Sequence, residues 1–174
     1  PGLHNVRNAL AANAVTLAMG VDLADVVKGL AGFAGVKGRL QRKPGVAGST
    51  VIDDTYNANP DSVAAALNVL SAQLGKKWLV LGDMGELGAS AAAQHYDIGN
   101  LARKRGVDHV FCLGDNSQQA VAAFGAGATH YATLEALLAD LQAQIGKGVT
   151  VLVKGSRFMR MERVVAALTA EGGK

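Results

Sequence analysis

The chain has 174 residues, of which 49% are hydrophobic and 18% charged, with a formal net charge of +3. These totals suit one folded domain, or one domain with a fragment of another, and exclude a disordered chain. The 17 basic residues are scattered, with KKW (76–78) and RKR (103–105) read as solvated ends; with neither zinc-finger spacing nor RNA-binding aromatic motifs, nucleic-acid binding is not expected.

In chain order, Asn5 to Ala18 predicts a helix, with Val6, Leu10, Ala14 and Leu17 near one face. Asp22 caps a second helix whose apolar stripe is Leu23, Val26, Val27 and Leu30. Two short helices bury little by themselves, so they are expected to pack on further protein. The chain opens on Pro1-Gly2 without a Met and is read as cut from a longer protein. Gly29, Gly32, Gly35 and Gly38 then mark a hinge or linker near residues 32 to 37, which separates a first part, 1–36, from a second, 37–174.

Beyond the hinge the pattern alternates. Strands are predicted at 49–52, 78–81, 109–113, 129–131 and 150–153, with an edge strand at 39–42. Helical stripes lie between them. Asn59 and Pro60 start one that buries Val63, Ala66, Leu67 and Leu70. Another runs from a Thr133 cap through Leu134, Leu137, Leu138, Leu141 and Ile145 to a stop at Gly146, and the last carries Met161, Val164, Val165 and Leu168. Near-continuous apolar strands alternating with helices predict an α/β fold: a Rossmann-like, mainly parallel sheet with helices on both faces, preceded by the two helices.

Ligands of such sheets bind at the carboxyl ends of the strands, and polar sequences follow several of the strands. DDTYNAN (53–59) is polar throughout except for Ala58. GDMGELG (82–88) offers Asp83 and Glu86, whose spacing does not by itself define a general acid and base. KGSR (154–157) places two cations and the Gly155 and Ser156 amides near a helix start, a seat for a carboxylate or phosphate. GDN (114–116) reads as a turn and cap. His95 reads as a core or helix-surface residue and Cys112 as a buried thiol without a disulfide partner. His4, His109, His130 and Cys112 lack metal-ligand spacing, so no metal site is expected. No apolar run approaches the roughly 18 residues of a membrane span and no signal peptide opens the chain, which predicts a cytoplasmic protein without membrane insertion. GxxxxGK[ST] does not occur in these residues.

GLHNVRNALAA (2–12), GRLQ (38–41), DDTYNANPDS (53–62), VLGDMGELG (80–88) and KGSRFMRME (154–162) occur in this order, and together they resemble the Mur ligases of peptidoglycan synthesis. That family has a UDP-sugar domain, a central ATPase domain and a C-terminal Rossmann-like domain. The resemblance implies that residues 1–36 are the last helices and hinge of the ATPase domain, and that 37–174 form the C-terminal domain. It implies an ATP-dependent ligase that joins D-alanyl-D-alanine to UDP-N-acetylmuramoyl-tripeptide through an acyl phosphate, acting as a monomer, with ATP and Mg²⁺ held mainly by the central domain. The part in hand is expected to be inactive alone.

Residue by residue, the resemblance implies that Asn8, with Asn5 beside it, contacts adenine, and that Arg39 acts catalytically near the γ-phosphate. Asp54 and Tyr56 are implied at the ribose. Asn57 and Asn59 are candidates for the dipeptide, with Lys154, Ser156 and Arg157 for its carboxylate. The glycine-rich hinge would let the C-terminal domain swing Arg39 and Asp54 over ATP. Two other readings stay open: another Mur or folylpolyglutamate-type ligase, or a non-catalytic α/β ligand-binding module. The Asp-Asn-Pro-Arg sequence of the diaminopimelate-adding member is absent.

Overall fold

A computed structural model describes residues 3–33 and 35–169, with side chains from Val6 onward. The chain divides into two compact units after Val36. The first contains α1 (Leu3–Ala18) and α2 (Leu23–Ala31). The Asp22 carboxylate accepts the Ala24 N–H at 2.9 Å and so satisfies one of the open donors at the start of α2. Val26 is buried, while Val6, Leu10, Leu17, Val27 and Leu30 are exposed.

The second unit begins at Lys37. Its elements are β1 (Gln41–Pro44), β2 (Thr50–Asp54), α3 (Pro60–Ser71), β3 (Lys76–Gly82), α4 (Ala91–Lys104), β4 (His109–Leu113), α5 (Gln118–Phe124), β5 (Ala128–Tyr131), α6 (Leu134–Gln144), β6 (Val149–Lys154) and α7 (Glu162–Leu168). The six strands lie in the order β1-β2-β6-β3-β4-β5, with only β1 antiparallel to its neighbour. The predicted parallel α/β sheet is therefore the observed fold.

Side-chain alternation along each strand sorts the core into two layers. Ile52, Leu79, Leu81, Val110 and Leu152 pack with α3, α4 and α5. Val51, Val80, Phe111, Val151 and Val153 pack with α6 and α7. β6 is inserted between β2 and β3, and the helix that follows it covers the face opposite to α3 and α4. The chain thus leaves β6 in one direction and leaves both neighbouring strands in the other, which makes the carboxyl ends of β2, β6 and β3 the switch point of the sheet, the place where ligands of such folds bind.

Most element bounds lie within one or two residues of the sequence expectation, and two of the differences have a local cause. The edge strand begins at Gln41 because Leu40 turns the chain with φ 50°, a left-handed conformation that side chains rarely adopt. Helix α6 ends at Gln144, with Ile145 already extended, because the buried Ile145 side chain directs the chain into the core before Gly146.

Candidate functional site at the strand ends

The loop after β2 is fixed at both of its ends. Asn59 and Ser62 form a reciprocal capping box at the start of α3: the Asn59 side chain accepts the Ser62 N–H at 2.8 Å, and the Ser62 hydroxyl oxygen accepts the Asn59 N–H at 3.0 Å. At the other end Asp53 is buried, accepts the Thr55 hydroxyl at 2.7 Å, and pairs with Lys43 of β1 at 3.1 Å. Between these anchors Tyr56 and Asn57 are exposed, as is Asn59 at the cap itself.

The turn that carries Arg39 is stapled onto this loop. Tyr56 N–H donates to the Gly38 carbonyl at 3.0 Å, and Leu40 N–H donates to Asp54 Oδ1 at 3.1 Å. Gly38 is buried with φ 72°, and a Cβ there would lie 3.1 Å from the Tyr56 nitrogen. Gly38 therefore belongs to the folded unit. The strained Leu40 backbone costs about 1–2 kcal/mol, and burial of its side chain in the α3 layer together with the Asp54 hydrogen bond holds it in place. The result is that the Arg39 guanidinium lies over the Tyr56 ring, 4.4 Å from its centre.

Lys154 and Asp54 are register partners at the ends of β6 and β2. The Lys154 ammonium donates to Asp54 Oδ2 and to the Asn57 carbonyl, both at 2.7 Å, and only 2% of the residue is exposed. Ser156 is likewise buried. Its hydroxyl donates to the Ala58 carbonyl at 3.1 Å and accepts the Gly85 N–H at 2.5 Å, while its own N–H donates to the Asp83 carbonyl at 2.9 Å. A short 3-10 helix, Arg157–Met159, does start directly after Ser156, as expected for KGSR, and α7 follows at Glu162. The Ser156 amide is nevertheless already bonded to Asp83, and the Lys154 and Ser156 side chains are spent in holding the loop after β2. Arg157 alone of the four is exposed, with its guanidinium 3.0 Å from Glu162 Oε1. Gly155 lets the chain after β6 pass close to the end of β3 and to Met161: a Cβ there would lie 3.1 Å from Gly82 Cα and 2.6 Å from Met161 Cγ.

GDMGELG braces the loops on the β3 side. Asp83 is 5% exposed, and its carboxylate accepts the N–H groups of Ser117 at 2.7 Å and Asn116 at 3.1 Å. Gly114 fits against it at φ 119°, where a Cβ would fall 2.5 Å from the carboxylate. Glu86 is exposed at φ 61°, so the two carboxylates of this loop have separate environments and form no acid–base couple. His95 is fully buried: Nε2 accepts the Met84 N–H at 2.9 Å and Nδ1 lies 2.7 Å from the Ala91 carbonyl. Those partners require a neutral ring with the proton on Nδ1. GDN is thus the turn that Asp83 grips. Sequence reasoning missed this role for Asp83, and the glycines on both sides were the available signal.

Of the candidate residues, the fold brings Arg39, Asp54, Tyr56, Asn57, Asn59, Lys154, Ser156 and Arg157 to the strand ends of one unit. Asn8 is exposed on α1 of the other unit, and the Asn5 side chain lies outside the described residues. On this side of the second unit Arg39 is exposed and the Tyr56 ring half-exposed, while the Asp54 carboxylate is buried against Lys154. Among the described residues, no group of three or more His, Cys, Asp or Glu side chains could hold a metal ion. No described helix is long and apolar enough to cross a membrane.

A doubly wound α/β domain, with polar side chains gathered at the strand ends where the chain direction reverses, belongs to the ligand-binding α/β class. The Mur ligase, glutamate ligase domain family matches residues 38–157, and the chain belongs to that family. Over 174 residues it is 41% identical to UDP-N-acetylmuramoyl-tripeptide–D-alanyl-D-alanine ligase of Escherichia coli, covering 99% of this chain and 38% of that protein. The Bacillus subtilis protein of the same name is 36% identical over 176 residues, covering 96% of this chain and 38% of the relative. The chain therefore spans little more than a third of these relatives. Among solved structures, MurF from Acinetobacter baumannii superposes with a TM-score of 0.85 at 40% identity, covering 95% of this chain and 37% of that one. MurF from Thermotoga maritima in complex with ADP superposes with a TM-score of 0.82 at 27% identity, covering 96% and 38%.

Proposed function

We propose that this chain is the C-terminal part of an ATP-dependent ligase that joins D-alanyl-D-alanine to UDP-N-acetylmuramoyl-tripeptide in peptidoglycan synthesis. The observation that carries the proposal is similarity along the whole chain to D-alanyl-D-alanine-adding ligases, at 41% identity to the Escherichia coli protein. In this reading residues 1–36 end the ATPase domain, and residues 37–174 form the domain that receives the amine substrate. The intact protein works as a cytoplasmic monomer.

The residues divide the work by position. When bound, ATP supplies the phosphoryl group that makes the tripeptide carboxylate an electrophile. Arg39 offers a planar, permanently charged fork to the γ-phosphate, and Tyr56 beneath it limits where that fork points. Asp54 accepts from ribose hydroxyls, and Asn5 and Asn8 read adenine from the neighbouring domain. Asn57, Asn59 and Arg157 line the amine side, with Arg157 taking the dipeptide carboxylate. Lys154 and Ser156 support that side from within the wall. Mg²⁺ is held by the central domain. The hinge lies before Gly38, since Gly38 is bonded into the second unit.

The test is ADP release by the full-length protein, supplied with UDP-N-acetylmuramoyl-tripeptide and a panel of amines. Turnover with D-alanyl-D-alanine, and little with single amino acids or glutamyl folates, is expected. Preference for another amine would reassign the protein within the family, and no ATP-dependent turnover would leave a binding module.

A further inference from the structure

The ion pair between Lys154 and Asp54 joins two loops that serve different ligands in the function proposed above. On one side, Asp54 Oδ1 holds the Leu40 N–H at 3.1 Å and so fixes the left-handed turn immediately after Arg39. On the other, the Lys154 ammonium holds the Asn57 carbonyl at 2.7 Å in the middle of the exposed loop. The link between them is the 2.7 Å contact of Lys154 with Asp54 Oδ2.

We infer that Lys154 is a positioning residue: through Asp54 and the Asn57 carbonyl, one buried ammonium sets the nucleotide-side arginine and the amine-side loop relative to one another. A lysine that met a substrate carboxylate directly would need an exposed ammonium, and this side chain is 3% exposed. Without the ammonium, Asp54 loses the charged hydrogen bond that fixes Oδ2, and its carboxylate is no longer held in place from that side. A carboxylate that turns no longer faces the Leu40 N–H, so the Leu40 bond slackens. Leu40 is then free to leave its strained conformation and takes Arg39 with it. The Asn57 carbonyl is released in the same event. One substitution on β6 therefore disturbs two sites contributed by other segments.

The ligand roles in this inference rest on the proposed function, whereas the coupling itself is read independently of catalysis. In the 174-residue chain, Lys154→Met is expected to shift the backbone amide resonances of Leu40 and Ala58 (which follows the Asn57 carbonyl) and to leave Ser117 unmoved. In the full-length enzyme the same substitution is expected to lower kcat by roughly 10²-fold, the scale of a misplaced reacting group, and to raise KM for both ATP and D-alanyl-D-alanine. If Lys154→Met does not fold, Asp54→Asn combined with Lys154→Met removes both charges and is read in the same way. A rise confined to the dipeptide KM, with Leu40 unshifted, would overturn the inference in favour of a direct contact. So would a folded variant with unchanged kinetics and unchanged Leu40. If the wild-type enzyme ignores D-alanyl-D-alanine, the proposed function fails, and the Leu40 resonance alone decides the coupling.

Discussion

The carboxylate of Asp83, at the end of the third strand, accepts the backbone N–H of Ser117 at 2.7 Å, where the next α/β turn enters its helix. The same carboxylate takes the Asn116 N–H at 3.1 Å and the Asn116 side-chain amide at 3.3 Å. Asp83 is thus the clasp between two neighbouring strand-end loops. Asp83→Ala would leave the buried Ser117 N–H without an acceptor, at about 1–3 kcal/mol, and would also remove the acceptor of the part-buried Asn116 donors. A loss of roughly 3 kcal/mol in urea unfolding is expected, with a smaller loss for Asp83→Asn. A change below about 0.5 kcal/mol for Asp83→Ala would contradict the clasp.

Cys112 lies on the neighbouring strand and is fully buried. Burial, and secondarily the negative charge of Asp83, push its thiol far above the ordinary range. The native protein at pH 8 should therefore give almost no reaction with a thiol-specific disulfide reagent, and one full equivalent once unfolded. Prompt labelling of the native chain would mean that this strand end is open.

Tyr131 donates its hydroxyl to Asp140, and burial followed by that hydrogen bond pushes its pKa up from 10.0 to about 12. The folded state thus keeps a proton that the unfolded chain releases first. This contribution is complete below pH 10 and is lost as pH rises from there to about 12. Stability measured between pH 9 and pH 12 should fall less steeply in Tyr131→Phe than in the wild type. Parallel curves would show that the hydroxyl is not held in this way.

Arg39 and Tyr56 offer a kinetic test of the proposed nucleotide side. In the full-length enzyme, Arg39→Ala is expected to lower kcat by about 10³-fold, with Arg39→Lys not restoring it because an ammonium lacks the planar fork. Tyr56→Phe keeps the ring beneath the guanidinium and should stay near wild type, whereas Tyr56→Ala should fall between the two. Equal losses in Tyr56→Phe and Tyr56→Ala would assign the role to the hydroxyl and not to the stacked ring.

Much of the architecture was legible because it is set by near neighbours in the chain. Asn59 and Pro60 open α3 and bury the expected stripe, and Thr133 caps α6 through the Ala136 N–H at 3.2 Å. His109–Leu113 is a strand with the expected bounds. The third residue of GRLQ was harder to place: nothing local announces a left-handed Leu40, whose conformation is held by a carboxylate 14 residues away. His95 was read as a core or helix-surface residue, and its hydrogen bond to the Met84 N–H appears only when α4 folds back beside the loop that precedes it.

The sequence by itself determined the alternation of strands and helices, the break before the second unit, and the position of polar residues after apolar strands. Each depends on periodicity, capping and turn chemistry within a few residues. Only the tertiary structure decided which polar groups face solvent and which are consumed in holding the loops. β6, last in sequence, enters the sheet between β2 and β3 and brings Lys154 against Asp54 and Ser156 against Gly85. A lysine in KGSR carries the same charge in either place. Its burial and its partners follow from strand order, a property of the whole sheet.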